Sequence, residues 1–244
     1  MDELIKEEIA GFPNQAIIQA IIDKGKIGKV VNLSSDSIVI IENCSDPFTF
    51  VAGSLNDIAL KKLAQILKEY ESPMIYCNPI YHPYLLKSGY DYHLRAELGL
   101  DRFKPIEYGN AKIHRIDSIE KAKFYNLKEH FSKYSFGYII ADNNQITSEA
   151  YVTIGRDWGE LSIYTHADFR QRNYAKKILS CLIQECINKK IIPIWSCQVD
   201  NKASLYTALS LGFNIKNYYT FLVPEWGNVL CPNLATWIRT NNYP

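Results

Sequence analysis

Glu160-Leu-Ser-Ile-Tyr-Thr165, His166-Ala-Asp-Phe169, Arg170-Gln-Arg-Asn-Tyr-Ala175 and a run from Lys176 to Lys189 follow one another without a break. The first piece reads as a short β-type segment and the third as a polar, arginine-bearing loop. In the last, Ala175, Ile178, Leu179, Leu182 and Cys186 recur at the three-and-four spacing of a buried helical stripe, while Lys176, Lys177, Ser180, Gln184 and Asn188 fall on other faces. A helix entered straight from such a loop leaves its first backbone N–H groups unpaired and facing that loop. Such an end attracts phosphate. Arg170, Arg172, Lys176 and Lys177 add positive charge, and the short residues Asn173 and Ala175 let backbone come close to a ligand. From spacing alone, a solvated basic helix end fits these residues as well as an anion site does.

Working outward, 193–199 reads as a strand in which Trp195, Cys197 and Val199 alternate against Ile194, Ser196 and Gln198. Asp200-Asn-Lys-Ala-Ser-Leu205 then starts a helix that closes at Leu211-Gly212-Phe213. Gly suits the left-handed residue past a helix end, and Phe its hydrophobic partner. Taken alone, Asn201 is a helix cap and Ser204 a first-turn polar residue.

These segments resemble the two acyl-coenzyme A signatures of the GNAT superfamily of N-acetyltransferases. The first, Arg/Gln-x-x-Gly-x-Gly/Ala after a strand ending in Thr, is met in register by Arg170, Gln171, Arg172, Tyr174 and Ala175. Asn173 stands where the family usually has Gly, and Asn tolerates positive φ better than other residues with side chains. The second, Asn-x-x-Ser/Ala-x-x-Leu-x-x-x-Leu-Gly-Phe, is met by Asn201, Ser204, Leu211, Gly212 and Phe213, with Thr207 in place of its first Leu. The resemblance implies a GNAT acyl-CoA N-acyltransferase fold, an α/β (α+β) structure with a mixed, mostly antiparallel sheet flanked by helices. It is specific over about residues 136–223. The long N-terminal half, with Phe50-Val-Ala-Gly53 before a helix, and the Ile192-Pro-Ile-Trp195 strand resemble one bacterial branch, the zwittermicin A resistance-like acetyltransferases, in which the N-terminal region forms an additional α/β domain. Domains of residues 1–105 and 106–244 follow.

The resemblance also implies a mechanism. Acetyl-coenzyme A, as cosubstrate, lies in a V between the strands at 161–165 and 193–199. Its pantetheine pairs with backbone around Ile163 and Thr165, and its pyrophosphate sits on the amides of Gln171, Arg172, Asn173, Tyr174 and Ala175, with Lys176 beside them and Asn201 and Ser204 on the second helix. A backbone N–H near Tyr164 polarises the thioester carbonyl. An acceptor amine attacks directly, and a base must expose its lone pair. Glu160 is the first candidate and Glu149 the second, each equally readable as a surface carboxylate at a strand end. The Tyr that usually meets the leaving thiolate falls at Ala208. Tyr206 lies about 200° around the helix at ~100° per residue and does not substitute for it. The zwittermicin-type branch tends to have Ala there, and a thiolate also leaves tolerably without an acid.

The function implied is transfer of an acetyl group to a primary amine of a small molecule. A catalytically idle acyl-CoA-binding sensor or scaffold, and a protein or peptide N-acetyltransferase, are the alternatives. With 27 basic and 26 acidic residues, net charge +1, there is no global electrostatic case for nucleic acid or a membrane as partner. The 47% of hydrophobic residues in 244 allow ample core. Six cysteines without a C-x-x-C pair read as small buried thiols in a reducing compartment. Five scattered histidines suggest no metal site. An acidic N-terminus, and no apolar run near ~18 residues, point to a cytoplasmic protein. A homodimer is an admissible assembly.

In the N-terminal half, helices are expected over 2–10 and 14–24, and strands over 26–33, 38–42 and 48–52 form an antiparallel meander. A helix over 55–70 capped by Ser54, a strand over 74–77, a helix over 81–88 and a strand over 92–99 follow. Tyr76, Tyr81, Tyr84, Tyr90 and Tyr92 read as one aromatic packing cluster. Residues 101–109 are the linker candidate. Beyond them come a strand over 112–116, one or two helices over 118–134, a hairpin of 136–141 with 146–154 around residues 142–144, a closing strand over 218–223 and an irregular tail over 226–244.

Overall fold

The structure, a computed structural model, describes residues 2–24, 27–44, 47–125, 127, 135–142 and 145–224. It divides into two compact units, Met1–Leu94 with Tyr219–Pro244, and Arg95–Tyr218. The chain therefore returns to the first unit for the end of its last strand. The expected tail, the 143–144 loop and most of the second helix in 118–134 lie outside the described residues.

In the first unit, α1 (Glu3–Ala10) and α2 (Gln15–Lys24) precede the antiparallel strands β1 (Gly28–Asn32), β2 (Ser37–Glu42) and β3 (Phe48–Gly53). The next helix, α3 (Asp57–Leu67), leads to β4 (Met74–Tyr76), which runs parallel to β3. Its cap is Asn56, whose side chain accepts from Ala59 N–H at 2.9 Å, rather than Ser54. Next come α4 (His82–Lys87) and the start of β5 (Tyr90–Leu100), and the far end of the last strand, β11 (Phe213–Pro224), pairs with β4 through Leu222 and Ile75.

The β2–β3 pair is buried on both faces. Ile38, Ile40 and Phe50 pack with Ile5, Ile9, Ile18 and Ile21 of α1 and α2, whereas Val39, Ile41 and Val51 pack with Ala59, Leu63, Leu67 and Leu85 of α3 and α4. At the strand end, Glu8 Oε2 accepts from Gly53 N–H at 2.7 Å and ties α1 to β3. The five tyrosines expected as one cluster are split by this layering. Tyr76 packs edge-on against Phe12 on the α1/α2 side, while Tyr81 and Tyr90 pack on the α3/α4 side and Tyr84 and Tyr92 are exposed.

In the second unit, the rest of β5 is followed by β6 (Ile113–Ile116), α5 (Ile119–Phe124), β7 (Phe136–Asp142), β8 (Gln145–Gly155), β9 (Trp158–Thr165), α6 (Tyr174–Asn188), β10 (Ile192–Gln198), α7 (Lys202–Ser210) and the start of β11. Strand order in this unit is β11-β5-β10-β9-β8-β7-β6. Only β9 and β10 run parallel among the pairs whose register is defined. This is the mixed, mostly antiparallel sheet expected from the sequence.

The buried stripe of α6, Ile178, Leu179, Leu182, Ile183 and Cys186, covers one face of the sheet at Ala150, Val152, Leu161, Trp195 and Leu98. Ser180 belongs to the buried side too, contrary to the periodicity. Its hydroxyl accepts from Ile106 N–H at 3.1 Å. Together with bonds from Asp101 N–H and Lys104 N–H to the carbonyls of Gly212 and Leu211, this holds 101–106 on the second unit. Residues 101–106 of the linker candidate are thus a fixed part of that unit, because the amides of Asp101, Arg102, Lys104 and Ile106 are bonded there. The last strand begins at Phe213, five residues earlier than expected, since Gly212 at φ +97° turns the chain directly out of α7. A Cβ at Gly212 would lie 1.8 Å from Arg102 O, so no other residue fits.

Candidate active site

Pairing between β9 and β10 covers only Trp158 with Ile192, Gly159 with Pro193 and Glu160 with Ile194. Past Glu160, β9 remains registered on β8 as far as Thr165, and β10 remains registered on β5 as far as Gln198. The two strands therefore form a fork with its apex at Glu160, beyond which the described residues of β9 and β10 are not in ladder register with each other.

Alternation decides which groups face the fork. Ile192 N–H donates to Asp157 O at 2.7 Å, so odd-numbered residues of β9 present their backbone toward β10. His166 N–H donates to Thr147 O at 2.9 Å, so even-numbered residues present theirs toward β8. The amides of Ile163 and Thr165 accordingly face the fork, and that of Tyr164, expected from the sequence to polarise a carbonyl, faces β8.

The fork leads into the arginine-bearing loop. A single turn at Ala167–Phe169 is followed by Gln171 at φ +61° and Asn173 at φ +59°, both left-handed. Asn173 thus adopts the conformation for which glycine is the usual residue, whereas the second left-handed position, Gln171, had no sequence signal. The Asn173 side chain makes no capping bond, and the first internal bond of α6 is Lys177 N–H to Asn173 O at 3.0 Å. The amides of Tyr174, Ala175 and Lys176 precede that bond and point out of the helix end. Arg170 Nε donates to Thr165 O at 3.2 Å, linking loop to strand end. The Arg172 guanidinium lies 5.1 Å over the Phe169 ring and donates to Asp168 O, and Lys177 Nζ lies 5.8 Å over Tyr174. Cationic side chains thus flank the loop and the helix-end amides of Tyr174–Lys176, an arrangement suited to a phosphate or diphosphate.

At the apex, Glu160 is 8% exposed. Its Oε1 accepts from Ser196 Oγ–H at 2.6 Å, and that same oxygen of Ser196 accepts from Arg95 Nη2 at 3.4 Å. Cross-strand partners share a face. By register, Glu149 opposite Tyr164, Thr153 and Ile194 opposite Glu160, and Glu97 opposite Ser196 therefore lie on the sheet face away from α6. Glu149 sits on this face with its Oε2 accepting from Tyr151 Oη–H at 3.0 Å, four residues along the sheet from the apex. The sequence had no signal for Arg95, which reaches the site through an antiparallel pairing 101 residues away. Ser196 was legible only as the outward member of the alternation around the buried Trp195 and Cys197.

The remaining candidates serve the second helix. Asn201 Oδ1 accepts from Ser204 N–H at 3.1 Å and caps α7, and Ser204 Oγ accepts from Trp195 Nε1–H at 3.1 Å. Ala208 is fully buried and Tyr206 is 65% exposed, so the two lie on opposite sides of α7. Burial pushes the Cys77 and Cys186 thiols up to about 12, leaving them inert packing groups. Among the described residues there is no group of three or more His, Cys, Asp or Glu side chains placed to hold a metal. Among those residues no helix is long and apolar enough to cross a membrane.

A parallel strand pair that opens into a fork, continued by an amide-rich helix end, defines an acyltransferase architecture. The family model for GNAT acetyltransferases matches residues 90–222, more than half of the chain, and the protein belongs to that family. The uncharacterized N-acetyltransferase YdfB of Bacillus subtilis is 28% identical over 99 residues, 40% of this chain and 38% of that protein. The match therefore spans well under half of that relative. Among solved structures, a GCN5-related N-acetyltransferase-like protein from Streptococcus suis superposes with a TM-score of 0.70 at 19% identity, covering 90% of this chain and 98% of its own. A GCN5-related N-acetyltransferase from Kribbella flavida gives 0.60 at 11% identity, over 88% and 97%. The glucosamine N-acetyltransferase region of a fungal β-N-acetylglucosaminidase gives 0.58 at 11% identity, over 91% of this chain and 37% of that one.

Proposed function

We propose that the protein transfers an acetyl group from acetyl-coenzyme A to a primary amine of a small molecule, by direct attack within the second unit. The observation that carries this reading is the fork itself, with a nearly buried carboxylate at its apex and a cationic, amide-lined helix end at its mouth. Acetyl-coenzyme A supplies the activated acetyl group. The backbone edges at Ile163 and Thr165 match the amides of a pantetheine arm. The amides of Tyr174–Lys176, with Arg172 and Lys176, match its diphosphate.

An alkyl amine reaches neutral solution mostly protonated, and Glu160 is placed to take that proton at the apex. Fork-facing amides of β9 stabilise negative charge developing on a carbonyl oxygen held there. A second reading, an idle acyl-coenzyme A sensor, draws on the buried Ala208, which leaves no hydroxyl where the family usually presents one. The fungal neighbour's named glucosamine specificity is consistent with a small amine. The layered α/β first unit supports placement in the zwittermicin A resistance-like branch, and the composition supports a cytoplasmic setting.

Calorimetric titration with acetyl-coenzyme A against free pantetheine tests the site. Micromolar binding that requires the nucleotide diphosphate is expected, followed by turnover on an amine panel. Binding without turnover on any amine selects the sensor, and no binding overturns both readings.

A further inference from the structure

We propose that Ser196 is a positioning residue that fixes the Glu160 carboxylate across the apex of the fork, with Arg95 holding Ser196 in turn. The inference rests on Glu160 as base, but it concerns where that base is held from. Glu160 belongs to β9, whereas its Oε1 is gripped from β10 and, through Ser196, from β5. A serine hydroxyl has one proton, which points to Glu160 because Arg95 has only donors to offer the Ser196 oxygen. The chain of bonds therefore has one direction, Arg95 to Ser196 to Glu160.

Three strands are thereby joined at the point where the β9–β10 ladder stops. The carboxylate is thus bonded from the β10 side of the apex. Among the described residues, register and alternation also place on this face the ionisable groups His93 and Glu97 on β5, His114 on β6, Glu149 and Tyr151 on β8, Tyr164 on β9, and Tyr218 and Lys216 on β11, the last lying over Gly99 and paired with Asp101. None of them is the donor that Ser196 supplies to Oε1. An unpaired serine at an outward strand position would be interchangeable with alanine, whereas this hydroxyl both accepts and donates a side-chain bond.

The test reads Glu160 directly, by carbon-13 NMR titration of the side-chain carboxyls in the full chain, with the Glu160 signal assigned by its loss in Glu160→Gln. Ser196→Ala is expected to raise the Glu160 midpoint by about one pH unit, the size of one charge-assisted hydrogen bond. Ser196→Thr, which keeps the hydroxyl, restores it. In the acetyl-transfer assay, the acidic limb of kcat/KM moves by the same amount in Ser196→Ala and returns in Ser196→Thr. An unmoved or lowered midpoint in a folded Ser196→Ala protein overturns the proposal, as does a Thr variant that behaves like Ala. If Glu160→Gln leaves the acidic limb intact, the base assignment fails instead, and the NMR titration still decides the role of Ser196.

Discussion

β2 in the first unit and β9 in the second are strands of similar length put to opposite uses. All six residues of β2 are buried, Ile38 and Ile40 under α1 and α2 and Val39 and Ile41 under α3 and α4. β9 buries Leu161 and packs Ile163 toward α6, but turns Glu160, Ser162 and Tyr164 to the other face, and past Glu160 it loses its neighbour on one side. A strand closed on both faces and both edges has spent its hydrogen-bonding groups on the fold. One with a polar face and an open edge keeps donors and acceptors for a ligand. The first unit therefore reads as scaffold along β2, and the proposed chemistry belongs where the ladder of the second unit opens.

The comparison breaks most sharply at Glu160. Replacing it with Gln keeps size and the bond from Ser196 but removes the proton acceptor, so kcat/KM for an amine should fall by about a hundredfold or more and the acidic limb flatten. Steady-state profiles between pH 6 and 9 check this. Coenzyme affinity should stay within a factor of about two, because the side chain faces away from the helix end. Ile40→Ala is the counterpart in β2. It should cost about 2–5 kcal/mol in chemical denaturation, leaving kcat/KM of the folded fraction unaltered. A large loss of turnover in folded Ile40→Ala protein would mean that the scaffold takes part in the chemistry.

A smaller effect is expected at the mouth of the fork. Arg172→Ala combined with Lys176→Ala should weaken acetyl-coenzyme A binding by about tenfold, more at low salt than at high, with pantetheine binding unchanged. Unchanged affinity for the coenzyme would remove the phosphate site from this loop. Away from the fork, the Arg115 guanidinium donates to both oxygens of Glu185, at 2.8 and 2.6 Å, and Tyr138 adds a third bond at 2.6 Å, holding that carboxyl below its usual range. A depressed folded-state value gives stability that is present above the unfolded pKa of about 4.3 and lost as pH falls through the folded value. Glu185→Gln should therefore be less stable than the parent by about 1–2 kcal/mol at pH 7, with the difference closing in acid and catalysis unaffected.

Much of this contrast was legible in the chain. The sequence places strands at 38–42 and 48–52 in a meander, and the alternation around Trp195 marks a strand with two unlike faces. The loop and helix from Arg170 to Asn188 were readable because amide geometry at a helix start is local. What failed was long-range. The tie of Ile106 to Ser180 turned an apparent linker into fixed structure, and the layering of the first unit separated tyrosines that lie close in sequence. Arg95 became a site residue only through sheet register with a strand a hundred residues on. Local propensity carries no record of such pairings.

The smallest expected effect sharpens the comparison at one residue. Asn173 holds φ +59° at the start of α6, a conformation that costs an L-residue about 1–2 kcal/mol and Asn less. Asn173→Gly relieves that strain but adds about 0.5–1 kcal/mol of unfolded-state entropy, so the two terms nearly cancel. Stability should move by under about 1 kcal/mol, and acetyl-coenzyme A affinity by less than about twofold. Asn173→Ala keeps the strain without the tolerance of Asn, and should lose about 1 kcal/mol together with part of the affinity, since the amides of Tyr174–Lys176 are aimed by this turn. Thermal melts and calorimetry on the three proteins separate two roles for the side chain. If Gly matches Asn, residue 173 serves the ligand only through its backbone. If Gly weakens the coenzyme as much as Ala does, the Asn carboxamide itself touches the ligand, and the departure from glycine is a contact of this protein's own.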